Sequence, residues 1–147
     1  MASTNHTEHL NLNQWVGTDP VLMADFNADN AKIDAAIAAL PRCATGSYTG
    51  TDTYGSEHPN TLTFDFAPKM VIILGGDCSC IFFAGSTEGI GIRVGSGGNH
   101  LRQSAAWSGN SLSWYAAAAV NGEGSYAINE REQLNEGSIV YRWFAIG

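Results

Sequence analysis

Among the residue types in this sequence, the acidic side chains are the best suited to catalysing bond cleavage. Glycoside hydrolysis, for example, needs two carboxyl groups held about 5–9.5 Å apart in a cleft. Six carboxylates lie mostly in segments that read as loops, where solvated charge is the ordinary role: Asp77, Glu88, Glu123, Glu130, Glu132 and Glu136. We therefore expect no catalytic pair among them, and we predict that the protein is not an enzyme.

Metal-ligating residues are few and scattered. Cys78 and Cys80 are too close in sequence for a relaxed disulfide, and on a strand they would share one face. We interpret them as reduced packing residues, with a metal site shared between subunits as the alternative. His6 and His9 would surround a metal only in a helical, trimeric tail. Motifs for nucleophilic Ser, phosphate loops and zinc proteases are absent, so we predict no cofactor and no metal.

Aromatic residues concentrate in and beside the last predicted strands. Their rings would either stack on the apolar face of a sugar, with amides and guanidinium groups meeting its hydroxyls, or fill the core or a subunit interface. The aromatic set is Trp107, Trp114, Tyr115, Tyr126, Tyr141 and Trp143. A glycan site, if present, would use polar residues at the loop tips, namely Asn99, His100, Arg102, Asn110, Asn121 and Glu123.

The composition indicates a small β-rich protein without a polyanionic partner. A chain of 147 residues that is 44% hydrophobic has room for one core and a modest appendage. Its charged fraction of 14% is low, and 17 glycines favour short strands and tight turns. The net charge of −7, without a cationic cluster, argues against nucleic acid and anionic membranes. No segment reads as a secretory signal or a membrane span, so we expect synthesis in the cytoplasm.

One helix is expected near the amino terminus, over residues 18–41. Thr18 or Asp19 would cap it, Pro20 would occupy its first position and Pro41 would end it. The segment from Ala31 to Ala39 is rich in alanine and strongly helix-forming. At about 1.5 Å per residue the helix would be a rod of roughly 30 Å.

The apolar positions of this helix follow a nearly heptad spacing that is interrupted at Asp29 and Asn30. They are Leu22, Phe26, Ile33, Ile37 and Leu40. Such a stripe would either pack on the protein's own β domain or form a short parallel coiled coil, in which a polar seam residue sets register and chain number. We favour the coiled coil, since a narrow stripe on an isolated helix needs a partner of similar length.

The rest of the chain reads as an all-β head. Alternating or continuous apolar runs predict strands near residues 46–49, 61–66, 70–74, 79–84, 90–94, 101–107, 112–118 and 139–146. Their number and spacing favour an antiparallel sandwich or a small barrel. We thus divide the chain into an extended leader at 1–17, a helical stalk at 18–41, a linker with the first strand at 42–60 and the head at 61–147.

Two parts of the sequence resemble phage and prophage tail-fibre proteins. The leader likeness covers residues 12–40 and rests on Leu12-Asn13-Gln14-Trp15, Gly17-Thr18-Asp19-Pro20-Val21 and Asp25-Phe26-Asn27-x-Asp29-Asn30-x-Lys32-Ile33-Asp34. In the head, the likeness rests on Gly46-Ser47-Tyr48-Thr49-Gly50, on Leu62-Thr63-Phe64-Asp65-Phe66 and on Trp143-Phe144-Ala145-Ile146-Gly147.

This resemblance implies a homotrimer whose leader, with Leu12 and Trp15, docks on tail or baseplate proteins, while the heads meet a bacterial surface glycan. The expected function is that of a short tail-fibre or receptor-binding protein in the virion or a phage-derived contractile particle. Typical fibres have a long repetitive shaft between leader and head, which this chain lacks. The alternatives are a structural baseplate component without host contact and, ranked third, a hydrolase of cell-wall polysaccharide.

Overall fold

The computed structural model describes residues 3–94, 99–121 and 124–147, apart from the side chains of Asn99, Asn121, Ser125 and Tyr126. The chain forms two compact units, Met1–Pro41 and Arg42–Gly147. Residues 42–60, predicted to be a linker with a first strand, belong to the second unit, which we call the head. In the described part of the chain, no helix has the length and hydropathy required to span a bilayer.

The first unit is a small hairpin followed by one helix. Strand β1 (Asn5–His6) pairs antiparallel with β2 (Asn13–Gln14), and α1 runs over Met23–Ala38. The leader, predicted to be extended, is therefore folded back on itself. Its loop is closed where the Thr7 N–H donates to the Leu12 carbonyl at 2.9 Å and the Leu12 N–H donates to Thr7 Oγ1 at 2.9 Å.

The helix is shorter than the rod predicted over residues 18–41, and the described residues of the first unit form no long stalk. Its 16 residues span roughly 24 Å at about 1.5 Å per residue. Asp19, predicted as a cap, instead accepts hydrogen bonds from the Val16 N–H at 3.0 Å and from the Thr4 N–H and hydroxyl at 3.2 and 2.9 Å. Those backbone bonds hold the pKa of Asp19 below its usual range. The helix consequently begins after Leu22, without a side-chain cap.

The head is built almost entirely of strands. Seven of the eight predicted strands appear at the expected places with slightly different bounds; the eighth, predicted over 61–66, ends at Thr63. One further short strand, β10, was not predicted. The strands are β3 (Cys43–Thr49), β4 (Asn60–Thr63), β5 (Met70–Gly75), β6 (Cys78–Phe83), β7 (Glu88–Arg93), β8 (Asn99–Ser108), β9 (Ser111–Asn121), β10 (Gly124–Tyr126) and β11 (Val140–Ile146).

All nine strands belong to one antiparallel sheet. Its order is β10-β9-β8-β7-β6-β5-β11-β3, and β4 pairs with the outer edge of β9. The sheet curls, since Tyr48 of β3 and Trp114 of β9 meet edge to face with ring centroids 6.1 Å apart. The prediction of an antiparallel all-β head is therefore confirmed. The head is a single curled sheet and differs in this respect from the predicted sandwich of two sheets. Among the described residues, β3 and β10 lie at the two ends of the strand order and each pairs with one neighbour.

The inner face of the curled sheet forms the hydrophobic core. Trp114 and Tyr141 lie in it and are almost completely buried, so the sugar-stacking interpretation is wrong for these two rings. Trp107 and Trp143 are partly buried against the same core. Leu62, Phe64 and Phe66 also point to it, as their alternation predicted, although β4 ends before Phe64.

The apolar residues of β7 face outward rather than into the core. Gly89 and Gly91 occupy the inward positions, while Ile90 and Ile92 are exposed. A Cβ at Gly89 would collide with the ring of Phe82, which is fully buried on β6. Glycine is therefore required there because Phe82 lies directly on the β7 backbone.

A polar segment at residues 129–136 fills the inside of the curl, and we call it the plug. Its central residue, Gln133, is 0% exposed. Gln133 Oε1 accepts from the Gly55 N–H at 2.8 Å and from the Ala116 N–H at 3.2 Å, while Nε2 donates to the His58 carbonyl at 2.8 Å. The indole of Trp114 donates to the Gln133 carbonyl at 3.0 Å. One side chain thus joins the 51–59 loop to β9 across the core.

Replacing Gln133→Ala should destabilise the head by about 2–4 kcal/mol, because it leaves buried N–H groups of Gly55 and Ala116 without an acceptor. The change is measured by urea unfolding, in which the fluorescence of the buried tryptophan reports the unfolded fraction. The matched variant Gln14→Ala removes an exposed glutamine and should shift the unfolding free energy by less than about 0.5 kcal/mol. Equal stability of the two variants would contradict the role given to the plug.

Candidate functional site

Within the first unit, the apolar stripe formed by α1 and its flanking residues is exposed. Its members are between 37% and 62% exposed, and we call them the helix ridge: Leu22, Phe26, Ile33, Ile37 and Leu40. Exposed apolar side chains scattered singly are common, but five aligned on one side of a helix are not, even with the interruption at Asp29 and Asn30. The ridge therefore has the character of an uncovered contact surface.

A different face of α1 carries the contacts to the hairpin. The least exposed residues of the helix are Asp25, Asp29, Lys32 and Ala36, at spacings of four, three and four residues. At 3.6 residues per turn this stripe is centred roughly 75° around the helix from the ridge. The first unit thus covers the more polar face of its helix and leaves most of the apolar face exposed.

Asp29, which interrupts the heptad, holds the hairpin against the helix. Its Oδ2 accepts from the Asn13 N–H at 2.8 Å and from Asn13 Nδ2 at 3.0 Å, and Lys32 Nζ lies 3.2 Å from Oδ1. Lys32 also donates to the Asn11 carbonyl. The interpretation of Asp29 as a polar seam residue is therefore wrong, because its carboxylate is used within its own chain.

The predicted docking residues Leu12 and Trp15 lie at the hairpin end of this unit. Leu12 is half-buried, and its backbone closes the loop between β1 and β2. The Trp15 ring stacks on Phe26 with centroids 5.1 Å apart and planes at 15°. Trp15 thus covers one end of the helix ridge, and one face of its ring is already occupied.

In the head, a polar cleft of about 520 Å³ opens beside the 51–59 loop. Four threonine hydroxyls, one carboxylate and one imidazole line it, over the edges of two core aromatics. The lining residues are Tyr48, Thr49, Thr51, Thr53, Glu57, His58, Pro59, Asn60, Thr61, Trp114 and Asn135. Hydroxyl groups together with a carboxylate and an imidazole suit a small polyhydroxylated ligand.

The cleft residues differ in how far the protein itself uses their polar atoms. Asn135 is buried, and its amide donates to Thr51 Oγ1 at 2.9 Å and to Thr53 Oγ1 at 3.0 Å. The side chains of Glu57 and His58 are exposed and make no hydrogen bond to any residue that the structure describes. The backbone of His58 is nevertheless held, because its N–H donates to the Gly55 carbonyl at 3.1 Å. Glu57 and His58 are therefore available to a ligand from a fixed backbone.

The loop-tip residues predicted to bind glycan do not form one site in the described structure. His100 and Arg102 lie on the outer face of β8, where Arg102 pairs with Glu88. Asn110 lies at the β8–β9 turn, at the other end of β8, and its amide donates to the Phe64 carbonyl. The side chains of Asn99 and Asn121 and the whole of Glu123 lie outside the described residues.

Most of the described candidate carboxylates form ion pairs. Arg93 joins Asp77 at 3.0 Å to the buried Glu132 at 2.7 Å, and Arg131 lies 2.7 Å from Glu136. Burial would raise the pKa of Asp77, but the hydrogen bonds from Arg93 and Cys78 and the charges of Arg93 and Arg131 together outweigh it and hold that pKa below its usual range. Arg131 likewise lowers the pKa of Glu136. Carboxylates held ionised in this way are poorly suited to act as a general acid.

Two of the three cysteines, Cys78 and Cys80, behave as packing residues, whereas Cys43 is exposed. Cys78 and Cys80 are free, buried and on the inner face of β6, and burial raises the pKa of each thiol to about 12. Their predicted role in packing is therefore confirmed for the described chain. No group of three or more His, Cys, Asp or Glu side chains in the described ranges is placed to hold a metal.

The cleft residues were not predicted from the sequence. The stretch Thr51-Asp52-Thr53 and the pair Glu57-His58 read as linker, since solvated threonine and charge are ordinary in a loop. The signal that would have pointed to them is their position beside the strands that contain Tyr48 and Asn60. That adjacency depends on Gln133, which is more than 70 residues away in sequence.

Acidification should release the hairpin from the helix. Burial would raise the pKa of Asp29, but the hydrogen bonds from Asn13 and Lys32 prevail and lower it. Because an unfolded Asp titrates near 3.9, the stabilisation is complete above about pH 4 and is lost as the pH falls through the lowered pKa of the folded state. The Asn13 amide resonance, followed by NMR from pH 6 to pH 2, should titrate below about pH 4.

In the variant Asp29→Asn this titration of Asn13 should disappear, while in Asp34→Asn, which alters an exposed aspartate of the same helix, it should remain. Persistence of the titration in Asp29→Asn would contradict the assignment of Asp29 as the group that holds the hairpin.

Comparison of the chain with protein-family models, with curated proteins and with solved structures finds no match. Inferences about its function therefore rest on the exposed helix ridge, the polar cleft and the charges of its own residues.

Proposed function

We propose that this protein is a short homotrimeric tail-fibre or receptor-binding protein of a phage or a phage-derived contractile particle. Its amino-terminal unit attaches to tail or baseplate proteins, and its β head contacts a glycan of the bacterial surface. In this proposal the protein acts by binding and assembly, without catalysis and without a cofactor. It is synthesised in the bacterial cytoplasm and works in the tail of the assembled particle.

The observation that supports this proposal most is the exposed helix ridge. A 16-residue helix is marginally stable alone, and most helices gain their stability by burying an apolar face. Here the hairpin contacts the face of Asp29 and Lys32, so the ridge needs a different cover. Ridges of identical chains supply apolar faces of the same length and spacing, as in a short parallel coiled coil.

The polar cleft supports the second half of the proposal. The side chains of Glu57 and His58, which make no hydrogen bond to any described residue, match the hydroxyl groups of a saccharide. Three copies of one weak site, presented together, would bind a repetitive polymer far more tightly than one copy does. We therefore assign the glycan contact to this cleft instead of to the loop-tip residues first considered.

Two alternatives make different demands on the head. A structural baseplate component would need the helix ridge but no ligand in the cleft. A polysaccharide hydrolase would need two carboxyl groups beside the ligand, whereas Glu57 is the one carboxylate among the described residues that line the cleft. The chemistry of the cleft accordingly favours binding over hydrolysis.

Two aspartates placed in the ridge, Ile33→Asp with Ile37→Asp, should dissociate the trimer. Burying two charges in an apolar seam costs about 3 kcal/mol or more, so the dissociation constant should rise roughly 100-fold or more. Sedimentation equilibrium over a series of protein concentrations measures that constant.

The control variant Ala35→Asp places one such charge on the opposite side of α1 and should leave the dissociation constant within a few-fold of the unaltered chain. A ridge variant that assembles as well as Ala35→Asp would refute the ridge as the trimer contact.

Substitution of the available cleft side chains, Glu57→Gln with His58→Ala, should lower retention of the full chain on purified cell-wall polysaccharide at least about 10-fold, since each lost charged hydrogen bond is worth roughly 1.5–3 kcal/mol. His100→Ala, which alters an exposed histidine on the outer face of β8, serves as the control and should not change retention.

If His100→Ala alone lost retention on the polysaccharide, the glycan site would instead lie at the loop-tip residues. Absence of retention for every form of the chain would favour the structural baseplate component, and release of soluble fragments from the polymer would favour the hydrolase.

A further inference from the structure

The outer face of the head sheet carries a second uncovered apolar surface. Six large side chains of β5, β6, β7 and β11 point away from the core and are between 37% and 71% exposed. We call them the outer-face patch: Leu74, Ile81, Phe83, Ile90, Ile92 and Phe144. The patch lies within the head alone and none of its members contributes to the core.

Strand register shows that these residues form one continuous surface. Phe144 pairs with Ile72, Ile72 with Ile81, and Ile81 with Ile90, so a single apolar row crosses four strands. Strands about 4.8 Å apart make that row roughly 15 Å long. A second row joins Leu74 through Ser79 to Ile92.

The exposed area of the patch is in the range expected of a binding surface. Its exposed apolar area is on the order of 500 Å², near the upper end of about 300–600 Å² for the largest patch on a typical monomer. A stable protein interface covers about 800 Å² on each partner, with a polar rim around an apolar centre. Arg102 and Arg142, directly opposite Ile90 and Leu74, supply such a rim.

Charge favours a copy of this chain as the partner. The protein has a net charge of −7, so most contacts between copies suffer repulsion. The outward residues of the four patch strands, however, include few charged side chains, namely Glu88, which forms an ion pair with Arg102, and Arg142 on β11. Two acidic copies therefore meet with little repulsion at the patch.

We infer that the outer-face patch is a contact between heads of sister chains, so that the protein associates through two separate surfaces. This inference deepens the proposed function and rests on it, because chains joined by the helix ridge hold their heads at a high effective concentration. Burial of the patch would add apolar stabilisation on the order of several kcal/mol in gross terms, before ordering costs. The heads would consequently act as one rigid body in presenting their clefts.

The test uses a cysteine placed in the middle of the patch, Ser79→Cys, in the full chain with Cys43→Ser. Ser79 points outward between Leu74 and Ile92, while the native Cys78 and Cys80 are buried. Alkylation of the new thiol by a maleimide should be at least about 10-fold slower in the assembled protein than in the same chain that also carries Ile33→Asp and Ile37→Asp. A cysteine at the exposed Thr63 of β4, Thr63→Cys, should react equally fast in both.

A second variant, Ile81→Lys with Ile90→Lys, should raise the dissociation constant of the assembly at least about 10-fold while the circular dichroism spectrum stays unchanged. If the chain assembles but Ser79→Cys is as reactive as Thr63→Cys, the inference is overturned and the proposed homotrimer stands. If assembly survives the ridge substitutions but not the lysines, the inference is supported and the ridge contact fails. A chain that is monomeric at every concentration overturns both.

Discussion

The side-chain amide of Gln133 is the contact on which the head depends. It is fully buried, and it joins the 51–59 loop, β9 and the plug by hydrogen bonds of 2.8–3.2 Å. A buried amide with satisfied partners makes one arrangement of the surrounding loops much more favourable than its competitors. The same amide therefore orders the polar cleft, because His58 and Asn60 are held by it on one side of that cleft.

The plug covers the inner face of the sheet, and within each unit the described residues include no comparable cover for the other large apolar surfaces. The helix ridge and the outer-face patch both consist of large side chains that remain exposed in the described structure. Their exposure is costly unless something removes them from water. Both surfaces consist of apolar side chains in an acidic protein, and we propose that copies of the same chain satisfy this requirement at two places.

The strands could be predicted from the sequence because their apolar period is local, and seven of eight were found close to the expected positions. The direction in which Ile90 and Ile92 point could not be predicted from the sequence, because it depends on Phe82, which occupies the inner space above Gly89. The start of α1 was misplaced because Asp19 binds Val16 and Thr4 instead of capping the helix. The cleft was missed for the same kind of reason: its walls are assembled by partners distant in sequence.

The central claim is that identical chains cover the helix ridge, and native mass spectrometry of the unaltered full chain at micromolar concentration tests it most directly. Three copies of a 15.6 kDa chain give a mass of about 47 kDa, which is the result the account requires. A single species at the mass of one chain, persisting as the concentration is raised, would contradict it.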